Sequence, residues 1–346
     1  MNPVLVEAWR GDAVESFHRG AVAVVDGDGR LVASLGDIDR PVFPRSAIKL
    51  LQALPLVESG AADRFGLSDE ELALACASHN GEPAHTRTAA AALAKADLDA
   101  AVLECGVHWP YHEPSVHALA AAGATPSALH NNCSGKHAGF VCLGCVLAGG
   151  KDRVGFLAGY VRPEHAVMRE VNAAVSQVTG FDLDHTPRGT DGCSIPTYAI
   201  PLRHLAHGFA RAGSGVGLAP VRAAAAARLR RAVASAPFMV GGSARFDTRV
   251  MELFGERVFC KVGAEGMYCA ALPEAGLGVA IKMDDGNTSR ACEVVMAALI
   301  ETLVPLNTAA ERDLLASLSN LQVRNWRGLD VGRLAPHPAL RQLAGS

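Results

Sequence analysis

Residues 20–34 read GAVAVVDGDGRLVAS, with apolar and β-branched residues alternating on either side of Asp26-Gly27-Asp28-Gly29. Asp-Gly pairs accept the positive backbone angles of a tight turn, so this stretch predicts a β-hairpin. A second β-rich block runs from Arg257 through Lys261, from Met267 to Ala271 and from Gly278 to Met283. It is broken by Gly263, Gly266 and Pro273-Glu274-Ala275-Gly276, and it predicts a meander. Between the two blocks, helical spacing of Ala and Leu marks Ala47 to Glu58, Asp69 to Cys76, Thr86 to Lys95, Gly139 to Leu147, Pro163 to Thr179 and Val221 to Ala236. Strands at both ends and helices between them predict an α+β fold. Its antiparallel sheet is assembled from about residues 3–36 and 257–283 and packed with a helical region of about 46–236. No fixed-period repeat or Pro/Ser-rich linker divides the chain, so a single domain over residues 1–346 is expected.

With 346 residues, 49% apolar and 19% charged, the chain can bury a large core. A net charge of -3 and the lack of any Lys/Arg run exclude nucleic acid as an expected partner. The longest apolar stretch, Ala138 to Gly150, falls short of the roughly 20 residues a membrane-crossing helix needs. A buried helix is predicted there, and no membrane association. Residues 1–11 carry Glu7 and Arg10 and lack the basic start and unbroken apolar run of a signal peptide, so a cytoplasmic location is expected. Nine cysteines, an odd count, argue for reduced thiols rather than a disulfide framework. Cys76, Cys142, Cys260, Cys269 and Cys292 lie among Ala, Val and Leu and read as small core residues.

Three short motifs carry the candidate chemistry: Ser46-Ala47-Ile48-Lys49 at the start of a predicted helix, Ser78-His79-Asn80 after another, and Lys261-Val262-Gly263 on a C-terminal strand. Each alone is weak. In this order they match the S-x-x-K, S-x-N and K-x-G elements of penicillin-recognising enzymes and related amidohydrolases. Residues three apart share a helix face, so Lys49 can bring its amine over the Ser46 hydroxyl. A lysine amine takes a proton from serine only where burial or neighbouring positive charge loosens its own, and Arg45 and Lys261 are candidates for that charge. The bland alternative has Ser46 capping a helix and Lys49 in solvent. Ser78 precedes the turn-forming Asn80-Gly81-Glu82 and would pair with Lys261 as a second hydroxyl and amine, delivering a proton to the leaving group. Its bland role is another cap. Gly263 leaves room for substrate beside the strand, and the backbone N–H of Ala264, with that of Ser46, is a candidate oxyanion hole.

Two polar loops remain, His130-Asn131-Asn132-Cys133-Ser134-Gly135-Lys136-His137 and Gly189-Thr190-Asp191-Gly192-Cys193-Ser194. The first is not a phosphate-binding loop: His130 stands where the upstream glycine would be, and His137 follows the lysine. Cys133 and Cys193 differ from the other cysteines in lying in these loops, either as a zinc-binding pair or as two unreactive thiols. Cys142 and Cys145 form a C-x-x-C within the apolar helix, weak evidence for metal.

Taken together, His18-Arg19-Gly20, Pro44 to Lys49, Ser78 to Glu82, Asn131 to His137, Asp191-Gly192-Cys193 and Lys261 to Gly266 resemble the L-asparaginase II family found in rhizobia, over roughly residues 3–330. The resemblance implies a serine β-lactamase/glutaminase-like fold, a homodimer, and hydrolysis of L-asparagine to L-aspartate and ammonia. It places the two serine-lysine pairs on Ser46 with Lys49 and on Ser78 with Lys261. It also places one zinc per chain on Cys133, Lys136 and Cys193, with a water completing the tetrahedron. Arg45 and Asp191 would meet the carboxylate and ammonium of the substrate, and Asn80 joins them as a substrate-binding residue. A glutaminase or other amidase on the same fold is the neighbouring alternative. A sensor that keeps the pocket without turnover is an alternative of another class.

Overall fold

The computed structural model describes residues 1–344. Among the described residues twelve strands occur: β1 (Val4–Arg10), β2 (Ala13–Asp26), β3 (Leu31–Leu35), β4 (Pro41–Val42), β5 (Arg188–Thr190), β6 (Pro196–Tyr198), β7 (Ile200–Pro201), β8 (Phe259–Val262), β9 (Met267–Leu272), β10 (Leu277–Met283), β11 (Leu321–Arg324) and β12 (Asp330–Pro336). The chain divides into two compact units. One comprises residues 1–47, 199–217 and 260–346, the other residues 48–198 and 218–259.

The first unit is built on an antiparallel sheet in the order β11-β12-β1-β2-β10-β9-β8, with β3 paired to β2. The hairpin read from residues 20–34 is β2–β3, in which Val22 faces Leu35 and Val24 faces Ala33. Asp26 closes its turn, its backbone N–H donating to Arg30 O and its carbonyl accepting from Gly29, a residue at φ 86°. The C-terminal block joins the same sheet: β10 pairs with β2 from Met283↔Gly20 to Leu277↔Asp26, so the two ends of the sequence supply its centre. Every residue of β9 is buried, because the helix Leu202–Ser214 packs on β9 and β10. That helix lies inside the stretch read as the helical region, yet it belongs to the sheet unit. Strands β11 and β12, and the helices Glu293–Leu303 and Ala309–Ser319 that pack near them, add a C-terminal part beyond the strands predicted from sequence.

The second unit is helical, and its organising element is Ser134–Leu147, buried from Ser134 to Cys145. It is longer than predicted, starting within the first polar loop. Gly135 explains how it is buried so completely: a Cβ there would lie 2.4 Å from Leu74 O, so only glycine lets this helix meet Asp69–Ala75 backbone to side. The partner helix is started by a capping box, in which Ser68 Oγ accepts from Glu71 N at 3.4 Å and Glu71 Oε2 accepts from Ser68 N at 2.7 Å. The helices Pro83–Ala94, Ala166–Thr179 and Pro220–Ser235 fill the remainder, and a short β5–β6 hairpin projects from it. Among the described residues, no helix is long and apolar enough to cross a membrane. The whole is an α+β fold.

Candidate active site

In the second unit, Lys49 opens the helix Lys49–Gln52 with its side chain fully buried. The predicted single helix from Ala47 to Glu58 is in fact a 3₁₀ turn, Arg45–Ile48, followed by two short helices. Lys49 Nζ donates to Ser78 Oγ at 2.9 Å, to Cys133 Sγ at 3.0 Å and to the Ala77 carbonyl. Pairing of Ser78 with Lys49 was not part of the expectation, which joined Ser78 to Lys261. Ser78 itself is held by its backbone: Ser78 N donates to Val240 O at 3.0 Å, and Asn80 N to Gly241 O at 3.0 Å.

A lysine-thiol cluster continues from there. Cys133 Sγ hydrogen-bonds with Cys193, and Lys136 Nζ lies 3.1 Å from Cys193 Sγ. The hydrogen bond from Cys193 holds the Cys133 thiol well below the ordinary thiol range against the penalty of burial, helped by the charges of Lys49 and Lys136. Cys193 is pushed up by the same shared proton and by burial. Burial works against the charge on Lys136, but the two sulfurs and Asp191 outweigh it and raise its pKa. The shared hydrogen bond thus lowers the pKa of Cys133 and raises that of Cys193. Asn131 fixes Cys133 by accepting from its backbone N–H at 2.9 Å. Asp191 and Cys193 sit in the turn of β5–β6, where Ser194 adopts a left-handed φ of 76°.

Around Ser78 lies a polar network that sequence spacing did not reveal. Asn80, expected to bind substrate, has its amide engaged by the chain: Nδ2 donates to Ser243 O at 3.2 Å and Oδ1 accepts from Arg245 at 3.2 Å. Glu82 accepts two bonds of 2.7 Å from Ser243, from N and from Oγ. Burial pulls against the Glu82 charge, but these bonds keep its pKa below the usual carboxylate value. His79 accepts from Gly81 N through Nδ1 and meets Ser134 Oγ at 3.0 Å through Nε2. It stacks on His85 at 4.8 Å. The Gly241-Gly242 pair before Ser243 was the only sequence hint of this closely packed loop.

In the first unit, Arg45 stands at φ 52°, a left-handed angle that long side chains seldom adopt and that marks strained functional turns. Ser46 follows in the 3₁₀ turn and is half-buried. Lys261 is fully buried on β8 and its Nζ donates to Val262 O at 2.9 Å. Gly263 is required here: a Cβ would come within 2.8 Å of Pro44 O, so the strand end carrying Lys261 and Ala264 lies directly on the turn carrying Ser46. Beyond Ala264, Glu265 and Gly266 turn the chain with φ of 56° and 69°.

One unit thus holds a half-buried serine and a buried strand lysine, and the other holds a buried cluster of lysine, serine and thiol groups. The family model of L-asparaginase II matches residues 6–336, and the chain belongs to that family. Membership makes it an amidohydrolase of the asparaginase type acting on a small amide. No curated protein matches the chain.

Proposed function

We propose that the enzyme hydrolyses L-asparagine to L-aspartate and ammonia through an ester on Ser46, with Lys49 as general base. The observation that carries this is the burial of the Lys49 amine against the Ser78 hydroxyl at 2.9 Å, on the chain segment that directly follows Ser46. Lys49 first releases to solvent one of the protons it donates in this structure, and Ser46 Oγ then attacks the side-chain carbonyl carbon while its own proton passes to the freed amine. The oxyanion is held by the backbone N–H groups of Ser46 and Ala264. The C–N bond then breaks, and the amide nitrogen takes a proton delivered through Ser78 and Lys261 to leave as ammonia. Water adds to the ester and releases aspartate, restoring Ser46. Arg45 receives the substrate carboxylate and Asp191 its ammonium. The 2.9 Å bond from Lys49 also favours Ser78 as the alternative nucleophile.

The Cys133-Lys136-Cys193 cluster suits one zinc per chain. Among the described residues no three His, Cys, Asp or Glu gather as metal ligands. This cluster instead offers two sulfurs and an amine linked in series, Lys136 to Cys193 and Cys193 to Cys133, and the pKa of the Cys133 thiol is lowered below its ordinary range. Cys133, Cys193 and Lys136 would supply two sulfurs and a nitrogen to zinc, Lys136 after giving up a proton. Zinc, when bound, supplies a fixed positive charge, and the chain's own contribution is to tie the start of the helix Ser134–Leu147 to the β5–β6 turn. A cytoplasmic homodimer completes the proposal, checked by light scattering and fractionation.

The test is ammonia release from asparagine and glutamine, and ring opening of a β-lactam followed by its absorbance, with rapid quenching and peptide mapping of the acylated residue. Asparagine turnover with an adduct of aspartyl mass on Ser46 is expected. An adduct on Ser78 transfers the nucleophile there, and turnover of glutamine alone overturns the substrate. One methylene is worth only about 1–3 kcal/mol in a pocket, so some glutamine turnover is compatible with the proposal.

A further inference from the structure

The helical unit holds a concavity that shares no lining residue with the lysine-thiol cluster. It is an open cleft of about 450 Å³ whose lining includes Glu164, Arg169, Asn172, Asp184, Arg188 and Tyr198. Small-molecule sites span roughly 300–1,000 Å³. Among the described residues, the side chains of Glu164, Arg169, Asp184 and Arg188 make no hydrogen bond or ion pair, with each other or with any neighbour. The neutral polar groups are ordered, with Asn172 Nδ2 donating to Tyr198 Oη at 3.1 Å.

Two guanidinium groups and three carboxylates face one volume; Asp182 accepts from Asp184 N at 2.9 Å and lies 3.9 Å from His185 Nε2, whereas the other four charged groups are unpaired and leave both signs of charge available to a ligand. A polyanion would be repelled by Glu164 and Asp184, and a metal cation by Arg169 and Arg188. A small molecule carrying a carboxylate and an ammonium satisfies both sets, the carboxylate on a planar guanidinium fork and the ammonium on a carboxylate. We infer that this cleft is a binding site for a free zwitterionic α-amino acid. The site also has a route to the thiol cluster. Arg188 and Tyr198 pair across β5–β6, the hairpin whose turn carries Asp191 and Cys193, so a ligand gripping one end of the hairpin restrains the other.

The inference stands whether or not asparagine is the substrate, and the test uses ligands that the enzyme does not hydrolyse. Titration calorimetry on the full chain compares glycine, L-alanine and L-aspartate with N-acetylglycine and glycinamide, each of which lacks one of the two charges. Saturable binding of at least one zwitterion is expected, weakened at least about tenfold in the capped forms. The double variants Arg169→Gln/Arg188→Gln and Glu164→Gln/Asp184→Asn should each weaken it by a similar factor. All four side chains are exposed, so thermal melting and basal ammonia release should not change. Absence of binding by every zwitterion would overturn the inference. So would binding that survives both double variants, which would place the ligand elsewhere, or equal binding of the capped forms.

Discussion

Replacing Lys49 with methionine keeps most of the side-chain volume and removes the amine, and the structure sets the size of two separate effects. The first is on stability. The amine supplies a donor to Ser78 Oγ at 2.9 Å, to Cys133 Sγ at 3.0 Å and to the Ala77 carbonyl, all in the interior. A buried acceptor left without its donor costs about 1–3 kcal/mol. Against this, the fold no longer has to desolvate an ammonium, a saving that offsets much of the loss of several such bonds. A net destabilisation of about 1–3 kcal/mol follows, well within the roughly 5–15 kcal/mol by which a domain is stable, so Lys49→Met stays folded.

The second effect is on catalysis. Proton transfer by a positioned base contributes about 10²–10⁴-fold, so turnover of asparagine should fall at least about 100-fold while circular dichroism is unchanged. Urea denaturation and a coupled ammonia assay, run side by side on parent and variant, read the two effects independently. Turnover within about tenfold of the parent would refute Lys49 as the base. A variant as stable as the parent would show that these hydrogen bonds contribute nothing net.

Ser46→Ala should abolish turnover and leave melting behaviour intact, since Ser46 is only half-buried; an enzyme with most of its activity would return the nucleophile to Ser78. The parent should carry about one zinc per chain by elemental analysis, and Cys133→Ser/Cys193→Ser should carry none; metal-free parent protein prepared without chelator would end the zinc proposal. In metal-free protein, Cys133 should remain a thiolate below the ordinary thiol range while Cys193 ionises only above it, because one proton bridges the two sulfurs. Thiolate absorbance of the parent minus that of Cys133→Ser measures this, and a difference appearing only at ordinary thiol pH would contradict it. Burial, aided for His79 by the neighbouring His85, lowers the pKa of both His79 and His85. Below the ordinary histidine pKa of about 6.5 the unfolded chain therefore takes up protons that the fold refuses. Stability should fall on acidification by up to about 1.4 kcal/mol per histidine per pH unit, and a urea midpoint flat from neutral to mildly acid pH would refute neutral burial.

What could be read beforehand follows from where polarity and burial agree. The β2–β3 hairpin was legible because each of its signals, period-two alternation and Asp-Gly turn chemistry, is local to fifteen residues. Strands β11 and β12 were not. β11 is the exposed edge of the sheet, and β12 beside it is mostly half-buried with Leu334 alone fully buried, so no clear alternation is imposed on either. In β5–β6, Gly189 and Pro196 interrupt the pattern within strands of three residues.

The first turn of the helix Ser134–Leu147 shows the converse. Ser134, Lys136 and His137 read as a loop because polar residues usually mean exposure, whereas all three are buried. Burial is tolerated because each has a partner far away in sequence: Ser134 meets His79, Lys136 meets Cys193, and His137 Nδ1 meets Tyr160 Oη at 2.7 Å. Spacing within a motif cannot display such partners. It could nominate Lys49 as a reactive amine, but the hydroxyl and the sulfur it touches lie 29 and 84 residues away. Residue type and order thus mark which groups belong to the site, whereas which amine serves which hydroxyl is decided by the tertiary packing that Gly135 and Gly263 permit.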